Sequence, residues 1–359
     1  MNGSQVEKKE LLVIEYLNAQ SLLCHYNVIE SMLHERDIDI LCVCETWLNS
    51  SVNYKFINIP NFKIIRYDTG RGGGSCIFVR DHLSVTLLSP DVDRMEGVDD
   101  VWVQIQHRKF ASFIVGCVYR HPKAGAPSFL YLSEIFKIIC LKNKPVFILG
   151  DFNDDLYTRG NNMNKIINNL SLKQLVSKPT RITLNSSTLL DLVITNRKEM
   201  VISSSVFPSP VADHELLSIV LNLRKPKPKP QIVTYRCRKN YDQNIFCNLL
   251  LNETTTLNSI LNTDNVSSQV IILTDTFNKC LNICAPLTTA EIARPFAPWI
   301  DETLKDSIVA KNNLQLMLKN DRSNLMLAHQ FKEDKKKVEC SLNKAKNNYF
   351  REKNFYLQW

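Results

Sequence analysis

Polar side chains gather where the apolar runs of this chain stop. Asn18 follows the run that starts at Leu11, Glu45 follows Cys44, Tyr119 and Arg120 follow Val118, and Asp151 and Asn153 follow Leu149. Asp191 opens another run, and Asp213 and His214 precede the last. Carboxylates bind hard cations and accept protons, whereas His, Tyr and Asn donate to anions, so the set suits acid–base or cation-assisted chemistry on a charged group. Singly, each has an ordinary alternative. A strand-terminal Asn or Asp is commonly a turn former or helix cap, and a lone His a hydrogen-bonded surface residue.

The elements that must position them read as strands with a few helices. The runs Leu11 to Tyr16, Ile38 to Val43, Phe62 to Tyr67, Ser75 to Val79, Val101 to Ile105, Phe113 to Val118, Val146 to Leu149, Leu190 to Thr195 and Leu217 to Leu223 have strand character. Helical spacing covers Asn27 to Glu35, Phe129 to Leu141 and Met163 to Leu170. Strands outnumber helices and several follow one another directly. That favours a four-layered α/β sandwich, two packed sheets flanked by helices, whose strand ends collect functional groups on one face.

At 359 residues the chain has length for two domains. Lys225-Pro226-Lys227-Pro228-Lys229-Pro230 lacks alternate N–H groups and reads as a stiff basic linker. The domains are therefore expected at 1–223, with a linker at 224–239 and a mainly helical basic segment at 240–359 that reads as cut off at Trp359. Residues 1–223 hold 23 basic and 23 acidic residues, so the net charge of +8 falls entirely in 224–359, which fits a polyanionic partner or a solvated helix. No run suits a membrane span or a secretion signal, so an intracellular, reducing location is expected. The eleven cysteines are irregularly spaced and read as buried thiols.

Four motifs change the weight of the single residues: Glu45-Thr46-Trp47-Leu48, Tyr119-Arg120-His121-Pro122, Gly150-Asp151-Phe152-Asn153 and Asp213-His214. In this order they resemble the endonuclease/exonuclease/phosphatase superfamily. More closely, Asn18-Ala19-Gln20-Ser21-Leu22, Gly72-Gly73-Gly74 and Ser187 to Thr195 resemble the apurinic-type endonuclease domain of non-LTR retrotransposons of the jockey and CR1 kind. The resemblance covers about residues 10–223, and 231–359 resemble the segment that precedes the polymerase in such elements. Ala212 stands where the family usually has Ser, and Gln20 where repair enzymes carry Asp.

The resemblance implies a Mg²⁺-dependent enzyme, with Mn²⁺ as a substitute, that nicks DNA to 3′-hydroxyl and 5′-phosphate ends as in target-primed retrotransposition. A phosphodiester repels anionic nucleophiles, so a hard cation is needed, and Glu45, Asn18 and Asp213 are its expected ligands. Asp151 would deprotonate the attacking water, Asn153 and Tyr119 would bind phosphate oxygens, and His214 would donate to one of them with Asp191 fixing its tautomer. Thr180 and Arg120 are further phosphate candidates. DNA is the expected partner, with element RNA on the basic segment, no membrane, and a nuclear location. The rival readings are a phosphatase of the same superfamily and an inactive nucleic-acid-binding remnant.

Overall fold

The computed structural model describes residues 11–183, 186–225, 231–239, 241–292, 299–320 and 324–354. Lys225 is described, and the rest of the Pro/Lys linker to Pro230 lies outside the described residues. Strands and helices are numbered along the chain. One six-stranded sheet holds β1 (Leu11–Asn18), β2 (Ile40–Cys44), β3 (Phe62–Tyr67), β4 (Ser75–Arg80), β13 (Val201–Phe207) and β14 (Leu216–Arg224), in the order β13-β14-β1-β2-β4-β3. The second holds β5 (Ser84–Leu88), β6 (Val98–His107), β7 (Phe110–Arg120), β8 (Val146–Asp151), β9 (Lys173–Gln174) and β12 (Asp191–Thr195), in the order β5-β6-β7-β8-β12-β9. Two short pairs join β10 (Arg181–Ile182) to β11 (Ser187–Thr188) and β15 (Gln231–Arg236) to β16 (Leu287–Ile292).

Each large sheet has one parallel pair at its centre, β1 with β2 and β7 with β8, and antiparallel neighbours on either side. Central strands are apolar on both faces, as Ile40–Cys44 shows, because each face is covered. Leu12, Ile14 and Ile77 of the first sheet share one core with Val115, Ile148 and Val193 of the second. Helix α1 (Leu22–Glu35), capped by Ser21, covers the outer face of the first sheet through Ile29 and Leu33. Helices α2 (Pro127–Cys140) and α3 (Asn162–Asn169) pack into the second sheet's core through Leu132, Phe136, Met163 and Ile166. The result is two mixed sheets between helical layers.

The expected strands and helices all occur, some longer at their ends. Edge strands β5 and β13 have no counterpart in the sequence reading, since Ser84–Leu88 and Val201–Phe207 expose much of their length and carry Ser or Thr there. The C-terminal segment is mainly helical: α4 (Gln243–Asn252), α5 (Thr254–Asn258), α6 (Val266–Cys284), α7 (Glu302–Asn320) and α8 (Leu325–Asn354). By compactness, 1–227 and 296–359 form one unit and 228–295 another. In the second unit β15 pairs with β16, while Phe246 of α4 packs against Phe277 of α6. No described helix is long and apolar enough to cross a membrane. The expectation of buried cysteines is corrected at five positions: all eleven thiols are free, but Cys24, Cys247 and Cys340 are exposed and Cys140 and Cys237 half-buried.

Candidate active site

Strand polarity explains why residues nearly 200 positions apart meet. The parallel pairs bring the C-terminal ends of β1, β2, β7 and β8 to one edge, delivering Asn18, Glu45, Tyr119 and Asp151. Antiparallel β12 and β14 bring their N-terminal ends to the same edge, delivering Asp191 and His214. Glu45, Tyr119, Asp151, Asn153 and His214 line one cleft of about 410 Å³. Gly150 precedes Asp151 because a Cβ there would lie 1.9 Å from the Val118 carbonyl oxygen.

The floor of the cleft is a chain of hydrogen bonds closed by one ion pair, His214 with Asp151. Tyr16 Oη donates to Asp191 Oδ1 at 2.8 Å, and His214 Nδ1 lies 2.9 Å from Asp191 Oδ2 and 3.6 Å from Asp151 Oδ2. Asn18 Nδ2 donates to Asp151 Oδ2 at 3.2 Å and to Glu45 Oε1 at 2.8 Å, while Trp47 Nε1 donates to Glu45 Oε2 at 3.2 Å. The Asn153 backbone N–H donates to Asp151 Oδ1 at 3.0 Å. Gln20, Ser21, Glu45, Trp47 and Asn153 all have positive φ, between 43° and 100°. Left-handed backbone at non-glycine residues costs on the order of 1 kcal/mol or more each, so the surrounding bonds hold strained loops in place.

Asp151 and Asp191 are direct cross-strand partners, and both are buried. Like charges placed so repel. Burial, then the Asp191 charge, pushes the Asp151 carboxyl up to about 7 against the opposing pull of His214. Burial alone would push His214 down, but the Asp191 charge and hydrogen bond, reinforced by Asp151, hold it up at about 10. His214 is therefore an imidazolium at neutral pH, with Nδ1–H committed to Asp191 and Nε2–H left for the cleft. Burial and then the Glu45 and Asp151 charges raise Tyr119, keeping its phenol a donor.

The donor set fits a hard divalent cation. Asp151, Asp191 and His214 offer ligand atoms all within 4.8 Å of one another. His214 Nδ1 is the member already occupied by its proton, which leaves carboxylates as ligands. Glu45 lines the cleft and accepts from Asn18 Nδ2 at Oε1 and Trp47 Nε1 at Oε2, with the Tyr119 phenol also against it, so its carboxylate keeps lone pairs toward the cleft. Asn18 turns its amide nitrogen to both carboxylates and its Oδ1 to the Gln20 N–H, so it braces Glu45 and Asp151.

Asp213, Thr180 and Arg120 stand apart from this chain. Asp213 accepts from Gln20 Nε2 at 2.8 Å and from Arg181 Nε at 3.0 Å. Burial would raise its pKa, but His214 and Arg181 hold it below the usual range. The Thr180 hydroxyl is fully buried and accepts from the backbone N–H groups of Leu190 and Asp191, fixing the start of β12. Arg120 is buried, with Nε on Ser128 Oγ at 2.7 Å and its other nitrogens on the carbonyls of Phe152, Asn153 and Ala124. It holds the loop that carries Asn153, whose Nδ2 in turn donates to the Arg120 carbonyl at 2.7 Å.

Four residues to which sequence reasoning gave no role belong to the cleft. Tyr16 lies two positions before Asn18, on the same face of β1 by strand alternation. His121 lies two positions after Tyr119, lines the cleft and pairs through Nε2 with Asp99 Oδ2 at 3.3 Å, a bond that raises its pKa. The same period-two reading would have found both. Gln20 and Arg181 line the cleft too, and only the tertiary fold brings them to Asp213.

A protein-family model described as Endonuclease/Exonuclease/phosphatase family matches residues 16–214. Among solved structures, the endonuclease domain of TRAS1, a telomere-specific non-LTR retrotransposon, is 19% identical with a TM-score of 0.47, over 60% of this chain and 100% of that one. A 3′ phosphatase, NExo, from Neisseria, bound to a product DNA hairpin, is 13% identical with a TM-score of 0.47, over 59% of this chain and 99% of that one. An AP endonuclease from Archaeoglobus fulgidus is 13% identical with a TM-score of 0.44, over 59% of this chain and 100% of that one. No curated protein matches the chain.

Proposed function

The chain belongs to the endonuclease/exonuclease/phosphatase family, hydrolases of phosphodiester bonds, and we propose that it is a divalent-metal-dependent endonuclease that nicks DNA to 3′-hydroxyl and 5′-phosphate ends. The observation that carries this reading is the chain Tyr16–Asp191–His214–Asp151–Asn18–Glu45 on the cleft floor. It sets a protonated donor beside a carboxylate that titrates near neutrality, at the edge of a carboxylate with free lone pairs.

Glu45 would hold Mg²⁺ or Mn²⁺ with Asp151 close by, and the bound ion supplies charge neutralisation at a phosphate oxygen. Asp151, ionised above about pH 7, accepts the proton of the attacking water. His214 donates Nε2–H to a non-bridging oxygen, and its charge stabilises the negative charge that builds there. Tyr119 Oη and the second N–H of Asn153 Nδ2 add donors from the cleft wall. Asp213 acts through Arg181, which it aims along the cleft edge. Because 3′-hydroxyl ends prime DNA synthesis, this product suits target-primed retrotransposition, and the positive excess of residues 224–359 supports a nucleic-acid partner for that segment.

Ligase resealing tests the product. A nicked plasmid made by the enzyme should be closed by DNA ligase without prior kinase or phosphatase treatment. Nicks that ligase leaves open would exclude the proposed end chemistry, and release of inorganic phosphate from 3′-phosphate ends with intact circles would favour a phosphatase.

A further inference from the structure

His214 sits at the end of the segment 208–214 that joins β13 to β14, where it forms an isolated antiparallel bridge with Arg181, and residues 208–213 have no regular structure of their own. Ser209 is buried, and its Oγ accepts from the backbone N–H groups of Val211 and Ala212, both at 3.3 Å. The Val211 side chain is buried in the same core cluster as Leu17, Ala19 and Leu22. Two carbonyls of the loop are met by the C-terminal helices. Gln315 Nε2 of α7 donates to the Ser209 carbonyl at 3.0 Å, and Lys335 Nζ of α8 donates to the Val211 carbonyl at 2.9 Å. Ala212 has no polar side chain with which to brace the loop from within.

The helices are tied down elsewhere in the same compact unit. Ile300, Leu304, Val338 and Leu342 form a small core against Val28 of α1. Lys346 pairs with Glu30, donates to Asn27 Oδ1 at 2.9 Å and stands 4.6 Å from the centre of the Tyr26 ring. Helix α1 itself begins just after Asn18 and Gln20. One helical pair therefore contacts both the loop of His214 and the helix that follows Asn18. A merely solvated basic helix would leave the Lys335 ammonium in water, where ordering its long side chain gains nothing. Here it is spent on a backbone acceptor three residues before the catalytic imidazole.

We propose that Gln315 and Lys335 are positioning residues of the active site, which fix the loop carrying His214 through the carbonyls of Ser209 and Val211. This rests on the nuclease reading for its kinetic part and on geometry alone for its structural part. Misplacing a catalytic group by about 1 Å costs up to about a hundredfold in rate. Binding of DNA to the rest of the cleft is unaffected, so the loss belongs in kcat.

The test uses the full chain with Lys335→Met, Gln315→Leu, the double variant and Lys335→Arg. Nicking kinetics are read beside melting temperature and the imidazole resonances of ¹⁵N-histidine-labelled protein, with His214 assigned from His214→Gln. The double variant is expected to lose about tenfold or more in kcat while KM stays within about twofold. Its His214 resonances should shift or broaden, its melting temperature should change little, and Lys335→Arg should restore both signals. Wild-type kcat and unchanged His214 resonances in the folded double variant would overturn the proposal. If the wild type does not nick DNA, the nuclease reading fails by itself, and the resonances still decide whether the two side chains position His214.

Discussion

His214 Nδ1 lies 2.9 Å from Asp191 Oδ2, a contact between residues that are both buried at the edge where the two sheets meet. Asp191 is also the cross-strand neighbour of Asp151, so one imidazolium serves two carboxylates that would otherwise repel. That relationship, with burial, governs the protonation of His214 and Asp151.

Asp191→Asn removes the charge and hydrogen bond that most raise the His214 pKa, leaving burial to push it down against the weaker pull of Asp151 and Asp213. His214 should then titrate well below its wild-type value of about 10 and become neutral at lower pH. A histidine NMR titration reads this directly. An unchanged His214 pKa would show that Asp191 does not control it.

The pH dependence of kcat/KM should be a bell. Activity rises as Asp151 loses its proton near pH 7, or lower where a bound cation favours the carboxylate, and falls toward pH 10 as His214 loses its own. In Asp191→Asn the alkaline limb should move toward neutrality. A rate that is flat from pH 6 to 10 on the wild type would contradict the assignment of both groups.

Tyr16→Phe removes one of two donors at Oδ1 of the fully buried Asp191 carboxylate, leaving His214 Nδ1 at 3.0 Å. A cost of about 1 to 3 kcal/mol is expected in stability by chemical denaturation, with a fall in activity because Asp191 loses its anchor. Stability and rate both equal to wild type would mean that the phenol is dispensable.

Glu45→Gln keeps the volume and removes the charge offered to a cation. Millimolar Mg²⁺ or Mn²⁺ should raise the melting temperature of the wild type, as ligand binding to the native state requires, and that of Glu45→Gln much less. Equal shifts in the two proteins would place the cation elsewhere.

Much of the site was legible because apolar runs ended in polar residues, and nine strands were visible in their β-branched stretches. Arg120 shows where such reading fails. It follows Tyr119 directly, and strand alternation turns adjacent residues to opposite faces, so Tyr119 enters the cleft while Arg120 grips the Asn153 loop from behind. Thr180 was plausible by residue type, yet its hydroxyl is consumed by two backbone donors that no spacing reveals. Long-range partners were out of reach altogether, as with Tyr16 and Asp191, 175 positions apart, or Lys335 and Val211, 124 apart. Edge strand β13 was hidden by its run of serines, which face solvent or lie half-buried.

The central claim is that a metal-dependent hydrolysis of DNA runs through Asp151 and His214. The direct measurement is conversion of supercoiled plasmid to open circles by the purified chain, with Mg²⁺ or EDTA, beside Asp151→Asn and His214→Gln of verified fold. Conversion should require the metal and fall by about a hundredfold or more in either variant. Circles opened equally well in EDTA or by both variants, or left intact by folded wild type with Mg²⁺, would contradict it.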